Sequence, residues 1–242
     1  MPNSSAQSRR SSVDAYVEQI ETFFAAMRIV TGYPAGYAQM LSVPVGWTSF
    51  YAATIIPISG TRVEKYPPFF KRGYWNVQVP TMTSGQADET RQVFNGLQNA
   101  LATKHAQKVR LAVHRLNLST TRTTDEDGII DSIIAMEALL SDGMQEMTHK
   151  VAIRVAGLYK ISNRRRPEQA FVEMKRIYKF RSSIVHGSDD LDKYREIVRN
   201  GDKMSAVDAA VEHLRNAFAV LLKHPSLLDP KKIDSFLLTN SF

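Results

Sequence analysis

A chain of 242 residues, 43% hydrophobic and 23% charged, can bury a core as one large domain or two small ones. It holds no cysteine, which excludes disulfides, thiol nucleophiles, iron–sulfur clusters and Cys-based zinc sites, and fits a reducing cytoplasm. The net charge of +7 is localised: residues 150–203 hold 14 Lys and Arg against 7 Asp and Glu, and the remainder holds 17 of each. Such an excess points to a polyanion, most simply nucleic acid, or to a solvated helix face with unbalanced charge.

Residues 1–12 are polar, lack the apolar stretch of a signal peptide, and read as a disordered lead-in. The region 13–83 opens with a predicted amphipathic helix over residues 14–30, on which Tyr16, Ile20, Phe23, Phe24 and Met27 recur at helical spacing. Glycine and proline then punctuate residues 31–83. The β-branched and aromatic runs between them, at 51–58 and 74–79, predict short strands in an irregular α+β region. The longest apolar runs, 52–58 and 217–222, are too short to span a membrane.

Residues 84–242 read as a mainly α domain. Thr83 or Ser84 is the expected cap of a helix carrying Val93, Leu97 and Leu101, and another helix is expected over 104–118. Thr123 or Thr124 caps the next, with Asp125, Glu126 and Asp127 near its positive end and Ile130, Ile133, Ile134, Ala138 and Leu139 along it. Further helices are predicted at 144–161, 168–186, 189–199 and 204–223. Gly143 and Gly187 stand where a stop is needed, and Pro225 and Pro230 punctuate the tail.

The run at 178–187, Tyr-Lys-Phe-Arg-Ser-Ser-Ile-Val-His-Gly, sets Arg181 and His186 five positions apart at the end of a basic helix. A guanidinium can hold and neutralise a phosphate while an imidazole moves a proton. Five residues turn a regular helix through about 500°, which leaves the two side chains about 140° apart. Either the helix distorts near Gly187, or another element or subunit completes the site. The same two residues also suit a structural role, Arg181 anchoring a helix end and His186 capping it.

Glu137 stands among Ile133, Ile134, Met136, Ala138 and Leu140, where a carboxylate needs a partner. It either orients Arg181 or His186, or lies at the edge of the apolar stripe. Arg164, Arg165 and Arg166 precede Pro167 in a predicted loop. With Lys160, Lys175, Arg176 and Lys179 they could track RNA phosphates or be simply solvated. Tyr178 and Tyr194 could stack bases or pack in the core. His105, His114, His149, His213 and His224 show no metal-ligand spacing, and no phosphate-binding glycine loop is present, so neither metal nor cofactor is expected.

The run at 178–187 resembles the closing motif of HEPN domains, an Arg followed after four to six residues by a His. It is most similar to the Apea-like branch, in which Arg-Ser-x-Ile-Val-His-Gly is typical. Residues 131–140, Asp-Ser-Ile-Ile-Ala-Met-Glu-Ala-Leu-Leu, resemble the first core helix of that branch, and the intervening helix at 148–159 agrees in spacing. The likeness covers residues 100–224, about half of the chain. It implies a HEPN-like antiparallel helical bundle that forms a homodimer and acts as a metal-independent endoribonuclease on RNA. Arg181 and His186 would be catalytic, with one motif from each subunit facing across the dimer cleft. Glu137 and Ser182 would support them; the family often has Asn, Asp or His where this chain has Ser182, which can hydrogen-bond but is a poor base. The resemblance further implies a cytoplasmic toxin or anti-phage defence role, with a regulatory or antitoxin protein as partner. Other HEPN members are non-catalytic dimerisation or RNA-binding modules, which is the alternative reading.

Overall fold

In the computed structural model, which describes residues 4–36, 81–143, 146–188 and 190–239, the chain is mainly helical, with one two-stranded sheet among those residues. The strands expected at 51–58 and 74–79 lie outside the described residues. Helix α1 (Ser4–Thr31) starts well before residue 14 and takes in most of the expected lead-in.

Local chemistry sets the next boundaries. Thr83 opens α2 (Ser84–Leu101) with a full capping box: its hydroxyl accepts from the Gln86 N–H at 3.2 Å, and the Gln86 side chain accepts from the Thr83 N–H at 3.0 Å. Helix α3 (Ala106–Ser119) follows. Helix α4 (Asp125–Leu140) is capped by Thr124, which accepts from the Asp127 N–H at 3.3 Å, with three acidic residues in its positive first turn. It stops at Ser141 rather than at Gly143. Ser141 is extended, and its hydroxyl closes a turn by bonding the backbone of Gly143. Helix α5 (Met147–Ser162) ends at the left-handed Asn163, and α6 (Pro167–His186) starts on a proline at its first position, where no N–H is missed.

The helix expected at 189–199 is replaced by a single turn, α7 (Leu191–Tyr194), and a hairpin. Strand β1 (Glu196–Arg199) pairs antiparallel with β2 (Asp202–Ser205), Glu196 opposite Ser205 and Arg199 opposite Asp202. The linking Asn200 and Gly201 both have positive φ, 52° and 94°, the pattern of a type I′ turn. This dipeptide chemistry overrides the helical composition before it. Ser205 then caps α8 (Ala206–Lys223), and a 3-10 turn at Pro225–Leu228 leads to α9 (Pro230–Thr239).

The α8 helix is the hub and packs against α1 to α6. Ala209, Ala210, Leu214, Ala217, Phe218 and Leu221 bury it almost completely, and the small residues let neighbouring helices approach closely. Around it stand two hairpins, α3 with α4 and α5 with α6, each joined by a short loop. Ile129, Ile133, Met136 and Leu139 of α4 and Leu116 of α3 are fully buried, each contributing about 1.5–3 kcal/mol. No helix among the described residues is long and apolar enough to cross a membrane.

Candidate functional site

Helix α6 carries most of the residues singled out by the sequence. Ala170, Glu173, Met174, Ile177, Tyr178, Phe180 and Ser183 form its buried side. Val172, Lys175, Lys179, Ser182 and His186 are exposed on the opposite side. The helix ends in a Schellman motif: Gly187 is left-handed with φ 62°, its N–H bonds the Ile184 carbonyl at 3.3 Å, and the Ser188 N–H bonds the Ser183 carbonyl at 2.9 Å. Gly187 is thus the stop that the sequence predicts, and it places His186 in the last helical turn.

The helix runs unbroken to His186 and does not distort before Gly187. Arg181 and His186 therefore leave its axis about 140° apart. Arg181 is half-buried and His186 exposed, and neither makes a hydrogen bond or ion pair among the described residues. One copy of α6 does not bring them onto a common face.

The charge of Arg181 acts on a half-buried acid, Glu137 of α4. The Tyr178 hydroxyl donates to Glu137 Oε1 at 3.2 Å, joining α6 to α4. Burial pushes the Glu137 carboxyl above its usual range, against the opposing pull of the Tyr178 bond and of the Arg181 charge. Burial and the adjacent Glu137 carboxylate also raise the Tyr178 hydroxyl, which stays protonated and donating. Glu137 thus has the partner that its apolar surroundings demand. That partner is Tyr178, and Arg181 acts on it through its field. Tyr178 is only 6% exposed, so it has no face on which a base could stack; its packing beside Met174 and Ile177 follows the helical period.

The basic residues divide into two groups. Arg165 is bound to Glu173 and Glu212, and its guanidinium lies over the Tyr159 ring, so it does not line a phosphate track. Arg176 donates to the Glu196 and Lys193 carbonyls at 2.8 and 2.6 Å and packs on Tyr194, fastening α6 to α7 and β1. Tyr194 in turn lies between Arg176 and Lys193. Arg164, Arg166, Lys175 and Lys179 remain exposed, Lys175 over the ring of Phe171. Elsewhere in the basic stretch, Arg154 pairs with Asp142 and Asp234, Arg195 with Asp125 and Glu126, and Arg199 with Glu173 and Glu212. Much of the local surplus in sequence is therefore neutralised in space by acids from distant segments.

Comparison with known family models, curated proteins and solved structures gave no match.

A second polar cluster was not singled out by the sequence. Glu173, 4% exposed, takes Arg199 through both carboxylate oxygens at 3.0 and 2.8 Å and Arg165 at 2.9 Å. The fully buried His213 of α8 places Nε2 at 3.1 Å from Glu173 and Nδ1 at 3.1 Å from the Tyr159 hydroxyl. Burial lowers His213, which suits a neutral ring accepting from Tyr159. For Glu173 burial pushes the other way, but His213 and the two arginines outweigh it and hold the carboxyl at about 2. The available signal was Glu173 itself, a carboxylate on the apolar side of α6 between Ala170 and Ile177. Among the described residues no group of three or more His, Asp or Glu is arranged to hold a metal ion.

Proposed function

We propose that this chain is a metal-independent endoribonuclease of the HEPN type, in which two copies of α6 supply one composite site. The resemblance of residues 178–187 and 131–140 to the Apea-like branch motivates the reading. The observation that carries it is the state of Arg181 and His186: both lie in the C-terminal part of α6 and make no hydrogen bond or ion pair among the described residues, and Arg181 stands in the field of the half-buried Glu137 that Tyr178 holds. In the proposed reaction the RNA 2′-OH attacks the adjacent phosphorus and the 5′-oxygen leaves. His186 transfers the proton, and Arg181 holds the phosphate and its developing charge. The products are a 2′,3′-cyclic phosphate and a 5′-OH end, and the 2′-OH requirement selects RNA over DNA. Ser182, exposed beside Arg181, would hydrogen-bond the substrate, and Arg166, Lys175 and Lys179 would meet flanking phosphates. The angular separation on α6 is the reason for a dimer: Arg181 of one copy would face His186 of the other. A cytoplasmic toxin or defence role under a regulatory partner belongs to the same reading.

A second reading is a non-catalytic dimerisation or RNA-binding module. The engagement of Arg165, Arg176, Arg195 and Arg199 in structural contacts favours it, because it leaves a smaller basic surface than the sequence implies. The deciding experiment incubates the purified chain with total RNA in EDTA and maps the ends. Cyclic-phosphate ends that disappear in both Arg181→Ala and His186→Ala support the nuclease. Full cleavage by His186→Ala sinks the mechanism, and RNA binding with no cleavage supports the second reading. Sedimentation tests the dimer, since a strict monomer leaves the composite site without its other half.

A further inference from the structure

The α5–α6 hairpin places the C-terminus of α5 at the opposite end of α6 from His186. The 20 residues of α6, at about 1.5 Å each, set the two ends roughly 30 Å apart. Between the C-terminal ends of α5 and α8 opens a cavity of about 200 Å³. Ile161, Ala219 and Val220 form its apolar wall, Arg164, Asn216, Lys223 and His224 supply polar groups, and no Asp or Glu lines it.

Asn216 is the unusual member. It is 4% exposed, and neither its amide oxygen nor its amide nitrogen has a hydrogen-bond partner among the described residues. Each buried polar atom left without a partner costs about 1–3 kcal/mol. The two cations are also without an acid: among the described residues Arg164 and Lys223 make no ion pair, whereas the adjacent Arg165 has two. Burial holds the neighbouring Arg215 guanidinium below its usual range, with Glu212 opposing the shift and Arg164 adding to it. Basic side chains at helix C-termini complement the carbonyl ends there. That accounts for the two cations and leaves the Asn216 amide unexplained.

We propose that this cavity binds a small phosphorylated ligand that also carries a hydroxyl, ribose phosphate being the plainest example. Arg164 and Lys223 neutralise the phosphoryl oxygens, and the Asn216 amide nitrogen donates to one of them. The Asn216 oxygen can only accept, so it requires a hydroxyl donor on the same molecule, which a fully deprotonated anion such as sulfate lacks. A continuous RNA strand fits less well, because Arg165, the next cation in the loop, is held by Glu173 and Glu212 and extends no track. The site stands apart from the nuclease reading, and its test reads binding without reference to cleavage.

The test is calorimetric titration of the full chain with ribose 5-phosphate, sulfate and a short single-stranded RNA. Ribose 5-phosphate should bind at one site per chain with a Kd of about 1 mM or tighter, and sulfate about tenfold more weakly. The Arg164→Gln, Lys223→Gln double variant should lose about tenfold or more in affinity for ribose 5-phosphate. Asn216→Leu should abolish that binding while keeping or raising the melting temperature, since it removes two unpartnered polar atoms. Should it not fold, Asn216→Asp offers the same shape with a charge that repels phosphate. Absence of heat up to about 10 mM ribose 5-phosphate overturns the proposal, as does binding that the variants leave unchanged. Equal affinity for sulfate overturns the hydroxyl requirement. Binding of RNA alone, through the same residues, replaces the small ligand with a strand.

Discussion

Replacing Glu173 by Gln should be among the most damaging isosteric changes available in this chain. The carboxylate is 4% exposed and is the common acceptor for Arg165 and Arg199, whose side chains are only 11% and 17% exposed. The amide keeps the volume and a contact with His213 but cannot neutralise two guanidiniums. Glu212 would then face both, and it is itself 35% exposed. Removing one side of a buried ionic cluster typically costs about 3–5 kcal/mol. An independent route gives a similar size: a carboxyl held at about 2 in the folded chain and near its ordinary value when unfolded contributes about 3 kcal/mol at neutral pH.

The depressed value also fixes the sign. The contribution is fully present above the ordinary Glu range and is lost as pH falls toward about 2, where the folded carboxyl is protonated too. Urea denaturation should therefore show Glu173→Gln less stable than wild type by about 3–5 kcal/mol at pH 7, a melting shift of about 6–20 °C for a chain of this size. The gap attributable to ionisation should narrow to about 1 kcal/mol near pH 3. Coincident stabilities at pH 7, or a gap that does not narrow on acidification, would refute the reasoning.

Other predictions rest on single positions. Gly187→Ala forces a Cβ onto a left-handed residue with open space around it, so calorimetry should show a loss of about 1 kcal/mol from backbone strain alone. Thr83→Ala removes half of the α2 capping box and should cost about 1 kcal/mol in denaturant titration, with Ser84 unable to restore it by position. Asp131, 1% exposed, bridges Arg115 and Arg122 at 2.6 and 2.7 Å; Asp131→Ala should lose about 3 kcal/mol or more in the same titration, against about 1 kcal/mol or less for the exposed Arg91–Asp88 pair.

What could be read from the sequence was local. Caps at Thr83 and Thr124 and the stop at Gly187 each depend on two or three neighbouring residues, and each was legible. The Asn200-Gly201 turn was equally local, but the charged residues before it have helical composition and concealed it. Pairing between distant segments could not be read. Arg165 meets Glu212 across 47 residues, Arg195 meets Asp125 across 70, and Arg154 meets Asp234 across 80. A charge count by segment assigns each cation to its neighbours in sequence, whereas folding assigns it to its neighbours in space. The basic stretch at 150–203 therefore overstated the surface that nucleic acid could meet.

This difference bears on how the end of α6 could work. Arg181 is half-buried within the field of the α4 carboxyl of Glu137, which Tyr178 bonds to α6, so its surroundings are set within one chain. His186 stands exposed in the final turn, positioned only by the Schellman motif. A guanidinium with a fixed setting can define where a phosphate rests, while an exposed imidazole acquires a defined approach only when a second surface covers it. Covering α6 with another copy would bury Val172 and Val185, which are 65% and 52% exposed, and would set the lysines of both copies, Lys175 and Lys179, along one face. Like charges brought together in this way disfavour the bare interface and favour one occupied by a polyanion. Dimerisation and RNA binding would then be linked, and the dimer's dissociation constant should fall when RNA is added and rise with salt.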